Sequence, residues 1–145
     1  MTDAEIQLAY DHESEKIPVH SGKMSELCKY IWAGSMATLF ALLTAASGTP
    51  AASFFSANRM LIVISAVSGS AAFLLDYLQN AAEYQHFNTV VAWIEGRTSF
   101  TRQEYNKQTR TAWLSAANCF FFVKNICALA SAALLGLAVL RSLFV

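Results

Sequence analysis

Three long uncharged segments constrain the fold of this chain more than any other feature. Residues 30–47 and 125–140 contain no charged side chain, and residues 60–78 contain only Asp76. Segments of this length approach the ~20 residues that an α-helix needs to cross ~30 Å of hydrocarbon. We therefore predict an all-α fold, with transmembrane helices near residues 30–47, 60–78 and 125–142.

The composition supports a membrane environment. The chain has 145 residues, of which 55% are hydrophobic, whereas soluble domains usually hold ~45–50%. The formal net charge is zero and the basic residues are scattered, which argues against nucleic acid as a partner. The three cysteines, Cys28, Cys119 and Cys127, form no CxxC pair, so we interpret them as reduced packing residues.

The first 28 residues form a polar segment that precedes the first apolar one. Seven charged residues lie between Asp3 and Lys23, which excludes an N-terminal cleavable signal peptide. This composition is typical of an arm that is flexible or is ordered by a partner. We divide the chain into this N-terminal arm, residues 1–28, and a membrane domain, residues 29–145.

A polar region with helical periodicity separates the second span from the third. From residue 79 to 95, polar and apolar side chains alternate at spacings of three and four, which predicts an amphipathic helix that continues the second span. A second amphipathic pattern leads from residue 105 into the third span without a predicted break. Residues 79–124 therefore form an antiparallel helical hairpin whose arms extend ~27–35 Å.

The hairpin turn carries several agreeing signals. Gly96 tolerates the left-handed conformation that follows many helices. Thr101 and Glu104 have the spacing of a capping box, and Phe100 and Tyr105 are placed as a hydrophobic staple. The sequence therefore predicts a turn from Gly96 to Thr101.

The distribution of basic residues predicts the orientation. Lys and Arg accumulate on cytoplasmic loops, and here they precede the first span and occupy the hairpin, whereas only Arg59 and Arg141 lie on the other side. We expect the N-terminal arm and the hairpin to be cytoplasmic and the C-terminus to lie outside. The protein would reside in a plasma membrane or a bacterial inner membrane.

Two charges lie at the margins of the predicted spans. Asp76 and Lys124 are separated from the midpoint of the hairpin turn by nearly the same number of residues, so they should lie at nearly the same depth. This predicts an ion pair at the cytoplasmic mouth of the bundle. Alternatively, each side chain reaches the headgroups by itself. In a rival interpretation residues 111–145 form one tilted helix with Lys124 inside the bilayer.

Small residues recur along all three spans and predict faces where helices approach closely. Because each span carries such a stripe, we expect self-association into a homo-oligomer. Serines in the second span are candidates for lining a pore or for helix contact. The second-span candidates are Ser65, Ser68, Gly69 and Ser70, and the packing stripes comprise Ala33, Ala37, Ala41, Ala45, Ala128, Ala132 and Gly136.

Aromatic side chains on the hairpin admit two interpretations. They either anchor in the membrane interface and fill the seam between the arms, or recognise a partner protein. These residues are Trp93, Trp113, Phe120, Phe121 and Phe122.

No residue pattern indicates a cofactor, a metal or a catalytic site. The histidines, His12, His20 and His86, lack a metal-ligand spacing, and Glu83 with His86 forms an ExxH half-site that has no counterpart. Nucleophile-elbow, phosphate-loop and HExxH motifs are absent from the sequence, so we do not expect an enzyme.

Two membrane functions remain from the sequence. The first is a small homo-oligomeric protein that forms or regulates a pore, with the hairpins as a collar. The second is an adaptor, inhibitor or immunity-type protein that binds another membrane protein. In layout alone the chain is similar to small membrane effectors of bacterial conflict systems.

Overall fold

A computed structural model describes residues 1–24, 26–27, 30 and 50–143. This part of the chain contains helices and no strand, which confirms the all-α prediction for it. The first predicted span, residues 30–47, lies outside the described residues apart from Tyr30. The helices are α1 (Asp3–Ser14), α2 (Pro50–Ala57), α3 (Arg59–Glu95), α4 (Arg102–Gln108) and α5 (Ala112–Leu143), and residues 16–24 are also helical.

Two of these helices have the length and composition of membrane spans. α3 has 37 residues and α5 has 32, and each contains a strongly apolar window of 18 residues. They include the second and third predicted spans, and α3 continues without a break into the predicted amphipathic segment. The prediction of a single helix from residue 60 to residue 95 is therefore confirmed.

The chain forms two compact units, and their boundary falls within both long helices. The first unit comprises Met1–Glu26 and Asp76–Phe121, and the second comprises Leu27–Leu75 and Phe122–Val145. α1, residues 16–24 and α4 belong entirely to the first unit, whereas α2 belongs to the second.

The first unit has a small apolar core built around the end of α3. Val90, Ile94 and Phe100 are buried together. α1 contributes apolar side chains at helical spacing, because one face of that helix contacts this core. The partly buried residues around the core are Met1, Ile6, Ala9, Tyr10, Trp93 and Tyr105.

Residues 1–24 of the N-terminal arm contact the rest of the first unit through α1. α1 begins with a capping box, in which Thr2 accepts from the Glu5 main-chain N–H and the Glu5 carboxylate accepts from that of Thr2. These hydrogen bonds from Thr2 lower the pKa of Glu5. The amino group of Met1 donates to the carbonyl of Phe100 at 3.0 Å, which joins α1 to the turn after α3.

The predicted turn from Gly96 to Thr101 is confirmed. α3 ends at Glu95, and Thr101 caps α4 in a capping box with Glu104, whose pKa is lowered by its hydrogen bonds to Thr101. The ring centroids of Phe100 and Tyr105 lie 6.2 Å apart, as the hydrophobic staple requires.

The helix after this turn is not continuous, contrary to the prediction. α4 ends at Gln108, and α5 begins at Ala112. Thr111 causes the restart, because its Oγ1 accepts from the main-chain N–H of Leu114 at 3.2 Å, in the manner of a helix cap. The returning arm is therefore one short helix followed by one long helix.

Candidate functional site

The long helices of the second unit leave most of their apolar side chains exposed. On α3 these include Val63, Ile64 and Val67, and on α5 they include Leu129, Leu137 and Leu140. Only 6% of the most apolar window of either helix is buried. Exposed apolar surface of this kind often marks a contact with lipid or with another protein, so it is the first candidate for function.

A reciprocal pair of serines joins α3 to α5 within the second unit. Ser65 Oγ donates to the main-chain carbonyl of Ser131 at 2.7 Å, and Ser131 Oγ donates to the carbonyl of Ser65 at 2.8 Å. Ser65 is buried, with 5% of its surface exposed. Its hydroxyl therefore belongs to a helix contact rather than to an open channel wall.

Gly69 belongs to the same contact. A Cβ at this position would lie 3.0 Å from Ser131 Oγ, which is closer than carbon and oxygen normally approach. Glycine thus permits the two helices to come close enough for both serine hydrogen bonds. Ser68 and Ser70 take no part in these hydrogen bonds. Ser68 is half-buried, and Ser70 is exposed.

The predicted small-residue stripe of α5 lies on another face of that helix. Ala128, Ala132 and Gly136 are all exposed, and a Cβ at Gly136 would meet nothing within 4 Å. The side of α5 that is covered contains Ser131 and the fully buried Ala138. The stripe in the first predicted span, Ala33, Ala37, Ala41 and Ala45, lies outside the described residues.

The predicted aromatic residues occupy different environments. Trp93 is half-buried in the first unit, where its ring contacts Phe100 at a centroid distance of 4.8 Å and Arg97 lies over it at 4.6 Å. It therefore packs against the core of that unit. Trp113, Phe121 and Phe122 are exposed, and Phe120 is half-buried.

Asp76 and Lys124 lie in different units, and the ion pair between them stays a prediction. Asp76 belongs to the first unit and Lys124 to the second, and both are half-buried. The main-chain carbonyl of Asp76 accepts a hydrogen bond from Asn80 Nδ2 at 2.8 Å.

Buried polar side chains cluster where α1 meets α4. Glu13 is 5% exposed, and its Oε1 accepts from the Tyr105 hydroxyl at 2.9 Å. Its Oε2 has no hydrogen bond but lies 3.7 Å from Lys16 Nζ. Burial, together with the bond to Glu13, raises the pKa of Tyr105 to about 12.

Two histidines link other segments of the first unit to α3. His20 Nδ1 lies 2.8 Å from Glu83 Oε2 and 3.2 Å from Asn80 Oδ1. His86 is 4% exposed, and its Nδ1 lies 2.8 Å from Thr111 Oγ1. Burial lowers the pKa of His86, so that its neutral form is favoured.

These contacts assign structural partners to the ExxH pair. Glu83 faces His20, and His86 faces Thr111, so the two side chains do not converge on one point. Among the described residues, no group of three or more His, Cys, Asp or Glu side chains is placed to hold a metal ion.

Sequence reasoning missed the residues that make the long-range contacts. Ser131 lies in a segment of α5 with many other small residues, so its position alone does not distinguish it. Glu13 and His20 likewise lie among many other polar residues of the arm. One signal was available, because Thr2 and Glu5 have the same T-x-x-E spacing as Thr101 and Glu104. That spacing predicts a helix at the start of the arm.

The described residues define an all-helical chain in which two helices are long and apolar enough to cross a membrane. No protein-family model, curated protein or solved structure matches the chain.

Proposed function

We propose that the protein is an integral membrane protein whose α3 and α5 cross the bilayer. The supporting observation is the exposure of the most apolar windows of both helices, only 6% of which is buried. A core helix of a soluble protein would bury most of such a window, because exposed apolar surface is unfavourable in water. Lipid removes this penalty. The Ser65 and Ser131 hydroxyls each donate to the other residue's main-chain carbonyl, so these polar groups are paired within the protein, as hydrocarbon requires.

We further propose that the protein self-associates and that the assembly forms or regulates a pore. The support for self-association is the exposed stripe of Ala128, Ala132 and Gly136, which the contact between α3 and α5 does not use. Small residues at every fourth position let a second helix approach closely. Ser70, exposed on α3, is the polar candidate for a pore lining. The role proposed is non-enzymatic.

The first experiment measures the mass of the purified protein in mild detergent. We expect an oligomer whose stability depends on the stripe, so that Ala132→Leu lowers the assembled fraction. Ala133→Leu is the matched control, since it adds the same volume at an exposed alanine about 100° around the helix. A strictly monomeric wild type would end this proposal.

The second experiment tests conduction directly. Purified protein in liposomes should release an entrapped ionic dye, and the Ala132→Leu variant should release it more slowly than the Ala133→Leu variant. An oligomer that leaves the liposomes tight at every protein density would contradict the pore while leaving the assembly intact.

A second candidate function is the binding of another membrane protein through exposed aromatic residues. Trp113 and Phe122 are 48% and 67% exposed on α5. Large aromatic side chains often dominate the energy of protein interfaces. Purification of the tagged protein with a foreign subunit at fixed stoichiometry, lost in Trp113→Ala, would favour this role over the pore.

A further inference from the structure

The N-terminal arm contains two helical segments that are held in different ways. α1 packs Ile6, Ala9 and Tyr10 against the apolar core of the first unit. Residues 16–24, which we call the strap, are also helical, but none of these nine residues belongs to that core. Five of them are exposed, namely Pro18, Val19, Ser21, Gly22 and Lys23. The attachment of the strap therefore depends on contacts of another kind.

A break at Glu15 separates the strap from α1. α1 ends at Ser14, and Glu15 forms a turn. Pro18 contributes to this break, because residue 18 of a continuous helix would donate its N–H to the carbonyl of Ser14, and proline has no N–H. The continuity of α1 therefore does not hold the strap in place.

Polar side chains of α3 hold the strap through His20. His20 Nδ1 lies 2.8 Å from Glu83 Oε2 and 3.2 Å from Asn80 Oδ1. Asn80 Nδ2 donates to the carbonyl of Asp76, so its Oδ1 is an acceptor, as the Glu83 oxygen is. His20 Nδ1 therefore carries a hydrogen and donates to these two acceptors. A hydrogen bond to a carboxylate is stronger than one between neutral groups.

Phe87, one turn beyond Glu83 on α3, contacts two side chains of the strap. The ring of His20 stacks on the Phe87 ring with centroids 5.3 Å apart, and Lys16 Nζ lies 4.9 Å from the Phe87 centroid. Lys16 and His20 are four residues apart, so they lie on one face of the strap helix. Charged and aromatic contacts on that face thus join the strap to α3.

We propose that the strap opens by itself while α1 stays in place, and that its opening uncovers the face of α3 formed by Asn80, Glu83 and Phe87. A helix of nine residues that contains a proline and a glycine is not stable alone, so the strap unfolds when its contacts with α3 break. Segments with few buried apolar contacts open locally in this way. The strap and its partners all lie in the first unit, so this opening is independent of whether α3 and α5 cross a membrane.

The test is amide hydrogen exchange of the full chain, followed by mass spectrometry and corrected for intrinsic rates. We expect the amides of the strap to exchange at least about tenfold faster than those of residues 6–14, because α1 adds apolar burial that the strap lacks. Equal exchange of the two segments would show that the arm opens as one body, and it would overturn the proposal.

Glu83→Gln should open the strap selectively. Both oxygens of Glu83 accept, one from His20 and the other from Gln79 Nε2 at 2.9 Å, so an amide at this position sets a donor against one of these donors. We expect strap exchange to rise at least about tenfold, as the loss of one hydrogen bond to a charged group predicts, with little change in α1.

Glu95→Gln is the matched control for this variant. It makes the same change on the same helix, at a carboxylate that accepts from the Tyr10 hydroxyl of α1 at 3.0 Å. Strap exchange should stay at the wild-type rate in Glu95→Gln. An equal rise in both variants would contradict the assigned contact between the strap and Glu83.

A second pair of variants removes the same contact from the strap side, in case Glu83→Gln does not fold. His20→Ala should speed strap exchange, whereas His12→Ala, at an exposed position of α1, should not. Unchanged strap exchange in His20→Ala would refute the proposal.

Gly22→Ala tests whether the strap unfolds as it opens. A Cβ at Gly22 would meet nothing within 4 Å, so the closed strap accepts the change. Alanine favours a helix over glycine, and we expect strap exchange to slow by up to about fivefold. An unchanged rate would show that the strap leaves α3 as an intact helix, contrary to the proposal.

Discussion

Buried and half-buried polar side chains make the long-range contacts in both units. In the first unit, Glu13, His20 and His86 each contact a side chain from a distant part of the chain. In the second unit, Ser65 and Ser131 do the same. Such groups are costly when left unpaired, so they select one arrangement of helices over others.

His86 should make the first unit sensitive to acid. Its pKa is lowered below the ordinary value of 6.5, first by burial, with Lys16 adding to the effect and Glu13 and Glu83 opposing it. The unfolded chain therefore binds the proton more readily than the folded chain. The free energy of unfolding is not reduced by His86 above about pH 6.5, and it falls as the pH drops below that value. We expect the unfolding temperature to fall less between pH 7.5 and 5 in His86→Gln than in the wild type.

The measurement is thermal unfolding followed by circular dichroism at several pH values. His12→Gln is the control, because it makes the same substitution at an exposed position of the same unit. An unchanged acid sensitivity in His86→Gln would show that other groups are responsible.

Ser65 should stabilise the contact between α3 and α5. Ser65→Ala removes the bond to the carbonyl of Ser131, and interhelical hydrogen bonds in membranes contribute about 0.6 kcal/mol on average and up to ~1.7. We expect a loss in that range when unfolding is titrated with a denaturing detergent. Ser70→Ala, at an exposed position of the same helix, should change stability by less than about 0.5 kcal/mol.

The glycines of the two long helices lie in different packing environments. Gly69 on α3 faces Ser131, whereas Gly136 on α5 faces open space. Gly69→Val should push the helices apart and destabilise the fold by about 1–3 kcal/mol, as overpacking usually does.

The matched change, Gly136→Val, should leave the fold as stable as the wild type and weaken self-association. The pair is measured by unfolding in detergent and by native mass. If Gly136→Val unfolds the protein while Gly69→Val does not, the assignment of the two faces is wrong.

Local signals predicted the ends of some helices and missed others. The capping box at Thr101 and the end of α3 followed from residue types within a few positions. The break before α5 did not, because Thr109 and Thr111 are compatible with a helix. Thr111 acts as a cap while it also contacts His86, which is 25 residues away in the sequence.

The number of membrane crossings determines on which side of the membrane each terminus lies. Three crossings, as the sequence predicts, place the N-terminus and the C-terminus on opposite sides, whereas two place them on the same side. We expect a cysteine at Leu143, which is 73% exposed, to react with an impermeant maleimide in intact cells.

Both cysteines are introduced singly into a variant whose native cysteines have been replaced. The cysteine at Gln7 should react only after the membrane is permeabilised. Both positions are exposed, so accessibility of the side chain itself does not limit the reaction. Protection of both, or labelling of both, in intact cells would contradict the three-span topology.

Periodicity and hydropathy depend on neighbouring residues, so the amino-acid pattern alone predicts that the described residues are helical and where the most apolar segments lie. Which face of α5 contacts α3 depends instead on residues that are distant along the chain. Small residues occur on several faces of that helix, so the pattern favoured Ala128, Ala132 and Gly136, whereas the contact uses Ser131. The tertiary structure also determines that the polar arm folds onto α3 and α4, since Glu13 contacts Tyr105 on α4 and His20 contacts Asn80 on α3, 92 and 60 residues away along the chain.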